Sequence, residues 1–279
     1  YTAYALLGKV LLYQDKFNEA VSALDNVIGV YSLVSDYGSQ FLRFGENGPE
    51  SVFEIQYSNQ SNWYDWGCAH CSEGNYAIIM NGPRGWSGPE YAQGWSFNVP
   101  TAEFYNSFEE GDSRRDATVL DIEAFATATG SSYTEGYNHT GYFNNKYIPR
   151  AGESGGQTEL NYLTNFRIIR YSDVLLMAAE AYNRGGIDDG LAQEFLNQVR
   201  RRAFGDNDHD ISASGTALTD AIWEERKFEL SLEGHRFFDL VRTGRASNLI
   251  SGFVEGKHEV FPIPQQEIDI SGLTQNAGY

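Results

Sequence analysis

Residues 170–181 have the sequence Arg-Tyr-Ser-Asp-Val-Leu-Leu-Met-Ala-Ala-Glu-Ala, in which apolar side chains recur at helical spacing. The pair Gly185-Gly186 interrupts this pattern, and a second apolar series follows over residues 191–203. The two series predict a pair of packed helices within residues 166–203, the first of them over residues 168–182.

The N-terminal segment repeats this design. Residues 3–13 and 17–28 are each apolar at helical spacing, and a polar turn at residues 14–16 separates them. Gly8 and Ala20 provide small side chains where two packed helices come closest. Residues 1–30 are therefore predicted to form a helical hairpin of the tetratricopeptide type. Because the chain opens within this helical pattern, we expect further residues to precede Tyr1 in the full-length protein.

The rest of the chain combines one more helical stretch with a long irregular segment. A third helix is predicted from Leu218 to Val241, and residues 51–57 alternate like a short strand. Residues 50–163 are otherwise rich in Gly, Asn, Ser, Thr and Tyr, and loops of this size are commonly functional. Residues 261–264 contain two prolines and should lie extended. The predicted fold is mainly α, with helical hairpins that carry a large loop-rich segment and a few short strands.

Composition limits the classes of partner. The 279 residues include 20 Lys and Arg against 38 Asp and Glu, so the formal net charge is −18. This surplus argues against nucleic acids, anionic lipids and polyanionic sugars, which all favour clustered cations. The aromatic content of 14% argues against a disordered acidic chain. No apolar run approaches the ~20 residues of a membrane span.

The main candidate for a binding site is an aromatic cluster in the loop-rich segment. Four of the five tryptophans lie within residues 63–95, together with several tyrosines and glycines. Flat aromatic faces in such loops suit sugar rings, while neighbouring amides and carboxylates suit hydroxyl groups. The alternative is that these rings only attach a loop to the core. The predicted ligand-binding residues are Trp63, Tyr64, Trp66, Asn62 and Asp65, with Trp86, Tyr91 and Trp95 as further stacking platforms.

Three other patterns are interpreted as structural. Cys68 and Cys71 fit a disulfide that tightens a loop in an oxidising compartment better than a redox motif or a zinc site. The acidic turn at residues 206–210 lacks the Gly and Glu that a calcium loop requires, so no metal is predicted there. The charge series from Glu224 to Arg242 predicts a structural ion-pair network rather than acid–base catalysis. Its expected arginines are Arg226, Arg236 and Arg242.

No catalytic motif or cofactor site is evident in the sequence. A glycoside hydrolase needs only two carboxylates, so the loop residues Asp65, Glu73 and Glu90 keep that alternative open.

Several motifs in the C-terminal half are similar to those of the SusD/RagB family. One is Arg170-Tyr171-Ser172-Asp173 with the helix that follows, and another is Leu196-Asn197-Gln198-Val199-Arg200. Glu225-Arg226 followed by Glu233-Gly234-His235-Arg236-Phe237-Phe238-Asp239-Leu240 is a third, and the ending from Phe261-Pro262-Ile263-Pro264 to Tyr279 is a fourth. Thr243 and Ala277 depart from the family pattern, where an aromatic residue and a proline are usual.

This resemblance implies a protein of the outer membrane of Bacteroidetes. The family's proteins are surface-exposed lipoproteins that capture glycans or other nutrients and deliver them to a TonB-dependent SusC-like transporter. Residues 1–279 would then be a single SusD-like domain that lacks its N-terminal half, with the lipid anchor upstream. Within it, residues 50–163 would face the ligand, and residues 164–279 would form a helical scaffold with an extended tail.

The predicted function is therefore non-catalytic binding of a neutral glycan at the cell surface, followed by delivery to the transporter. The main alternative is a helical scaffold that chiefly docks to the transporter and carries a non-glycan ligand. Glycoside hydrolysis is a further alternative.

Overall fold

The computed structural model describes residues 1–60, 66–154 and 160–279, with Trp66, Ala69 and His70 described through their backbone alone. The chain divides into two compact units, which are Tyr1–Glu233 and Gly234–Tyr279.

The helices of the first unit include two pairs of consecutive helices that pack against each other, the first with the second and the seventh with the eighth. These helices are α1 (Thr2–Tyr13), α2 (Phe17–Leu24), α3 (Ala77–Asn81), α4 (Ala102–Asn106), α5 (Arg114–Thr118), α6 (Ile122–Thr129), α7 (Tyr171–Arg184), α8 (Asp189–Phe204) and α9 (Gly215–Glu229). Short 3₁₀ helices span Tyr37–Phe41, Arg43–Gly45 and Trp66–Cys71. Helices α1, α2, α7, α8 and α9 share one apolar core, so the prediction of a mainly α fold built on helical hairpins is confirmed.

The strands are short and join distant parts of the first unit. They are β1 (Ser51–Ile55), β2 (Arg84–Ser87), β3 (Val119–Asp121), β4 (Ser132–Thr134), β5 (Tyr142–Asn144) and β6 (Phe166–Arg170). The described strands pair antiparallel as β1 with β6, β2 with β4 and β3 with β5. The β1–β6 pair fixes the start of the loop-rich segment directly beside the start of helix α7.

Close helix packing explains the small residues of the first hairpin. A Cβ atom at Gly8 would lie 2.5 Å from the Leu24 side chain, so only glycine allows α1 and α2 to approach this closely. Ala5, Gly8 and Leu12 form the buried face of α1. On the opposite face Leu6, Leu7 and Val10 are about half exposed, at 53%, 48% and 45%.

Some helix boundaries differ from the sequence prediction. The chain is a strand through Arg170, so α7 begins three residues later than predicted. The predicted helix from Leu218 to Val241 is two helices, because Leu232 and Gly234 have positive φ angles of 63° and 86°. These left-handed residues lie beyond Glu229, where α9 ends, and separate α9 from the next helix.

A cluster of buried charges lies where β6, α8 and α9 meet. We call it the charged centre, and its residues are Glu50, Arg114, Lys146, Arg170, Arg200, Arg202, Glu225, Glu229 and Glu233. Arg170 donates to Glu50, Glu229 and Glu233 at 2.7–2.8 Å. Glu229 also accepts from Arg114 at 3.1 Å and from Arg202 at 2.6 Å. The predicted structural ion-pair network is therefore present.

The described contacts of this network include arginines beyond the three that were predicted. Glu225 pairs with Arg114 and Arg200, whereas Arg226 pairs with Asp173 of α7 at 2.7 Å. Arg242 pairs with Asp239 of its own helix. The like-charged neighbours Glu225 and Glu229 of α9 are thus paired with arginines from other elements of the fold.

Burial and neighbouring charges shift the pKa values in the charged centre. Burial alone would raise the pKa of Glu229, but Arg202, Arg170 and Arg114 outweigh it and hold that pKa well below its ordinary value. Burial lowers the pKa of Lys146 to about 8, although Glu233 at 2.7 Å opposes the shift. Three surrounding arginines therefore keep the buried Glu229 ionised.

The second unit contains α10 (Arg236–Arg242), α11 (Ala246–Leu249) and α12 (Gln265–Ser271). Residues 261–264 belong to no helix or strand, and α12 after them was not predicted. Gln275 fixes the extended segment through two hydrogen bonds with Ile263, at 2.8 and 2.9 Å. Across the described parts of both units, no helix is long and apolar enough to span a membrane.

Candidate functional site

The candidate site is built on three segments that meet at the end of strand β1. We call residues 57–60, 72–76 and 160–165 the loop base. The Tyr57 amide donates to the Asn165 side chain at 3.0 Å, and the Ser58 amide donates to the Glu73 carbonyl at 3.0 Å. The Asn75 amide donates to the Tyr162 carbonyl at 2.7 Å. The loop base therefore connects segments that are about 100 residues apart in the chain.

Gly74 allows the closest approach within the loop base. A Cβ atom at this position would lie 2.3 Å from the Asn161 Cα and 2.7 Å from the Leu160 carbonyl oxygen. Ser72 beside it donates its hydroxyl to that same carbonyl at 2.9 Å and accepts from the Gly74 amide at 3.1 Å. The backbone here leaves no room for any other residue at position 74.

Most of the leading predicted site residues lie outside the described part of the chain. Asn62, Trp63, Tyr64 and Asp65 belong to the residues that the structure does not describe. Trp66 begins the 3₁₀ helix Trp66–Cys71. Within this helix Cys68 and Cys71 form a disulfide, with Cα atoms 5.3 Å apart, as the structural interpretation of the pair predicts.

Trp86 and Tyr91 are core residues. They are 9% and 4% exposed, and both rings pack with Phe125 in a cluster that includes Phe143 and Ile148. Burial raises the pKa of Tyr91 to about 12. The expectation that these two rings present open faces is therefore corrected: neither has an exposed face on which a sugar could stack.

Trp95 lies at the edge of another aromatic cluster. Its ring is half-buried against a core that contains Ile79 and Tyr147, and its amide donates to the Ile79 carbonyl at 2.9 Å. Two glycines allow this arrangement, because a Cβ atom at Gly94 would lie 2.4 Å from the Gly82 Cα. Of the three further platforms predicted, Trp95 keeps the largest open surface.

The structure also reveals exposed rings that the sequence analysis did not select. Tyr76 is 49% exposed and belongs to the loop base. Phe97 is 53% exposed, and the Arg84 guanidinium lies 5.9 Å from its ring centre. Both residues lie near the predicted cluster in sequence, but no periodic pattern separates exposed rings from buried ones in an irregular segment.

Carboxylates that were considered for hydrolysis or for calcium binding form ion pairs in the structure. Glu90 pairs with Arg150 at 3.1 Å, and Asp210 pairs with Arg201. Among the residues that the structure describes, no group of three or more His, Cys, Asp or Glu side chains could hold a metal ion. Asp65, a further carboxylate of the hydrolase alternative, lies outside these residues.

Comparison with known proteins identifies the family. Residues 49–260 match the SusD family. The chain belongs to this family. SusD-like protein P2 from Formosa agariphila is 29% identical over the whole chain, which spans 59% of that relative.

Solved structures agree with this assignment. A laminarin-binding SusD-like protein is 40% identical and superimposes with a TM-score of 0.88, covering 100% of this chain and 62% of its own. Surface glycan-binding protein A from Bacteroides thetaiotaomicron, solved in complex with laminarihexaose, is 32% identical with a TM-score of 0.88. It covers 98% of this chain, and the match spans 62% of its own. The chain therefore spans about three fifths of the length of these relatives.

Proposed function

We propose that this SusD-family chain binds a neutral β-1,3-glucan of the laminarin type without catalysing its cleavage. The observation that carries the proposal is its likeness, along its whole length, to a laminarin-binding SusD-like protein at 40% identity. The structure of a second relative with laminarihexaose supports the same ligand class. The net charge of −18 also favours a neutral sugar over a sulfated or uronic one.

Most of the binding residues that we propose follow the first segment of the loop base in the sequence. Trp63, Tyr64 and Trp66 would stack on glucose rings, and Asn62 and Asp65 would bind their hydroxyl groups. Trp95 would extend the surface at its edge. The buried rings of Trp86 and Tyr91 would support the site from behind rather than touch the sugar. Sugar rings fit such a surface because their C–H faces pack on aromatic rings while their hydroxyls form directional hydrogen bonds.

Calorimetric titration with laminarihexaose tests the ligand. We expect saturable heat with the wild-type chain, and a loss of about 2 kcal/mol in binding free energy for Trp63→Ala or Trp66→Ala. Maltohexaose and cellohexaose, which contain the same sugar with other linkages, are matched control ligands. Equal binding of all three hexasaccharides would contradict the β-1,3 assignment. Unchanged affinity in both tryptophan variants would place the site elsewhere.

We further propose that the full-length protein is anchored by lipid at the surface of the outer membrane and delivers its glucan to a SusC-like transporter. Membership of the SusD family supports this role. Co-purification of the full-length protein with its transporter from detergent-solubilised membranes is the expected result. Release of shorter sugars from laminarihexaose by the purified chain would instead favour the hydrolase alternative.

A further inference from the structure

A cavity of about 80 Å³ opens among residues of the second unit. Its lining includes the apolar side chains of Val241 on α10, Ala246 on α11 and Phe253 in the loop that follows. Glu255 and Glu259 of the same loop also line it. One water molecule needs about 10–15 Å³ on the same measure. The cavity therefore has room for a side-chain group of several atoms.

The loop that follows α11 is folded by its own contacts. The Val254 amide donates to His258 Nδ1 at 2.9 Å, and the His258 amide donates to the Val254 carbonyl at 3.0 Å. The rings of Phe253 and His258 pack edge to face, with 5.8 Å between their centres. These contacts fix the turn that carries Phe253, Glu255 and Glu259. A cavity that is formed in advance binds its ligand at a lower entropic cost.

The two carboxylates give the cavity its charge. The Gly256 amide donates to Glu259 Oε1 at 2.9 Å, and this bond lowers the pKa of Glu259 below its ordinary value. Lys257, which lies between the two carboxylates in the sequence, places its ammonium over the Tyr279 ring, 4.7 Å from the ring centre. Among the residues that the structure describes, neither Glu255 nor Glu259 forms a salt bridge. The cavity therefore presents two negative charges beside an aromatic ring.

An arginine side chain matches this cavity in charge and in shape. A planar guanidinium can pack against an aromatic ring while it donates to carboxylates, and its aliphatic stem suits apolar walls such as those of Val241 and Ala246. Apolar residues next to the lining are also open to solvent. Val254 lies between two lining residues and is 51% exposed, and Leu249 at the end of α11 is 53% exposed. An arginine surrounded by apolar contacts is a common anchor of protein interfaces.

We propose that this cavity docks an arginine side chain of a partner protein, in which apolar residues flank that arginine and cover Leu249 and Val254. The guanidinium pairs with Glu255 and Glu259. This interaction goes beyond the proposed glucan binding, because a neutral sugar supplies no positive charge for these carboxylates. A small free cation would pair with the carboxylates but would leave the two aliphatic side chains uncovered, so the surface favours a protein.

An NMR titration of the isotope-labelled chain with the peptide acetyl-Leu-Arg-Leu-amide tests the cavity. The amide signals of Ala246, Ser247 and Glu255 should shift and saturate. The same peptide with citrulline, the neutral isostere of arginine, should bind about tenfold more weakly, because it loses the charge-assisted hydrogen bonds. Acetyl-Gly-Arg-Gly-amide and agmatine keep the guanidinium without apolar neighbours, and each should bind about threefold more weakly than the Leu-Arg-Leu peptide.

Substitutions of the carboxylates test the same contact from the side of this chain. Glu255→Gln and Glu259→Gln should each weaken binding of the Leu-Arg-Leu peptide about threefold, and the double variant about tenfold. A glutamine at position 259 can still accept from the Gly256 amide, so the turn should be retained. Glu267→Gln on α12 is the matched control, because Glu267 is exposed and lies outside the lining. It should bind like the wild type.

Each contrary outcome would overturn the proposal. Equal binding of the arginine and citrulline peptides, or full affinity in the double variant, would show that the carboxylates do not recognise the guanidinium. Agmatine that binds as tightly as the Leu-Arg-Leu peptide would assign the cavity to a small free cation. Shifts confined to residues outside 241–259, or no saturable shift with any probe, would exclude the cavity as a docking site. The peptide series needs no substitution, so it decides the question even if a variant is destabilised.

Discussion

The charged centre and the loop base are held together by different means. In the charged centre, charged side chains such as Arg170 and Glu229 form the connections, and they are almost completely buried. In the loop base, most connections involve backbone amides and carbonyls together with small neutral side chains such as Ser72 and Asn75. The charged centre therefore depends on the identity of each side chain. The loop base depends mainly on the path of its backbone, which leaves its outward-facing side chains available for binding.

Removal of one charge from the charged centre should have the largest effect on stability. Glu229→Gln takes the negative partner from Arg114, Arg170 and Arg202, which would remain buried. We expect the free energy of unfolding to fall by about 3–5 kcal/mol, measured by urea denaturation. Glu224→Gln on the same helix is the matched control. Glu224 is half exposed and pairs only with Lys227 among the contacts described, so its loss should cost less than about 1 kcal/mol.

The same variant should change the response to acid. The pKa of Glu229 is lowered in the folded state, so its contribution to stability is present above the ordinary value of 4.5 and is lost as the pH falls below it. In Glu229→Gln, the free energy of unfolding should therefore decrease less steeply below about pH 4.5. An identical acid profile for the two chains would show that Glu229 does not contribute in this way.

Crowding of the backbone at Gly74 should have an intermediate effect on the stability of the fold. Gly74→Ala places a Cβ atom 2.3 Å from the Asn161 Cα, so two backbone segments must separate. We expect a loss of about 1–3 kcal/mol in stability, together with weaker glucan binding. Gly38→Ala is the control, because its Cβ atom would make an ordinary contact of 3.4 Å with Ala117. Wild-type stability in Gly74→Ala would show that the segments of the loop base adjust independently.

Of the substitutions considered, removal of the Glu90 charge should have the smallest effect on stability and on glucan affinity. Glu90 is half exposed and pairs with Arg150 at 3.1 Å, so Glu90→Gln should cost less than about 1 kcal/mol in stability. Glucan affinity should be unchanged, as expected for a carboxylate that has no part in binding or catalysis. A clear drop in affinity, measured by the same titration, would extend the site to this edge of the loop-rich segment.

The sequence predicts the helical scaffold well, because a helix is recognised from side chains that are close together in the chain. Helical spacing within residues 166–203 identifies α7 and α8 from side chains a few positions apart, and the acidic series on α9 indicates an ion-pair network. The arginines that complete this network cannot be identified in the same way. Arg170 and Arg114 lie 59 and 115 residues from Glu229 in the chain, and only the folded backbone brings them to it.

The candidate site was less predictable, because it too depends on contacts between residues that are far apart in the chain. Whether a ring in residues 57–97 is open or buried depends on distant segments that pack over it. Trp86 and Tyr91 are covered by Phe125, about 35 residues later in the chain. Tyr76 is 49% exposed, and residues 160–165 form their described hydrogen bonds here with the neighbouring residue Asn75. Composition draws attention to this stretch of the chain, but it cannot rank the rings within it by exposure.

Helix α1 has a consequence for how this chain behaves at high concentration. Leu6, Leu7 and Val10 form an apolar stripe on a molecule whose net charge of −18 makes copies repel one another. Added salt shortens the range of that repulsion to about 8 Å at physiological ionic strength, but it does not weaken the attraction between apolar stripes. We therefore expect colloidal self-association to increase with ionic strength. Sugar titrations are therefore best carried out in buffer of low ionic strength. Fewer protein clusters form there, so the measured heat comes from ligand binding rather than from the dissociation of clusters.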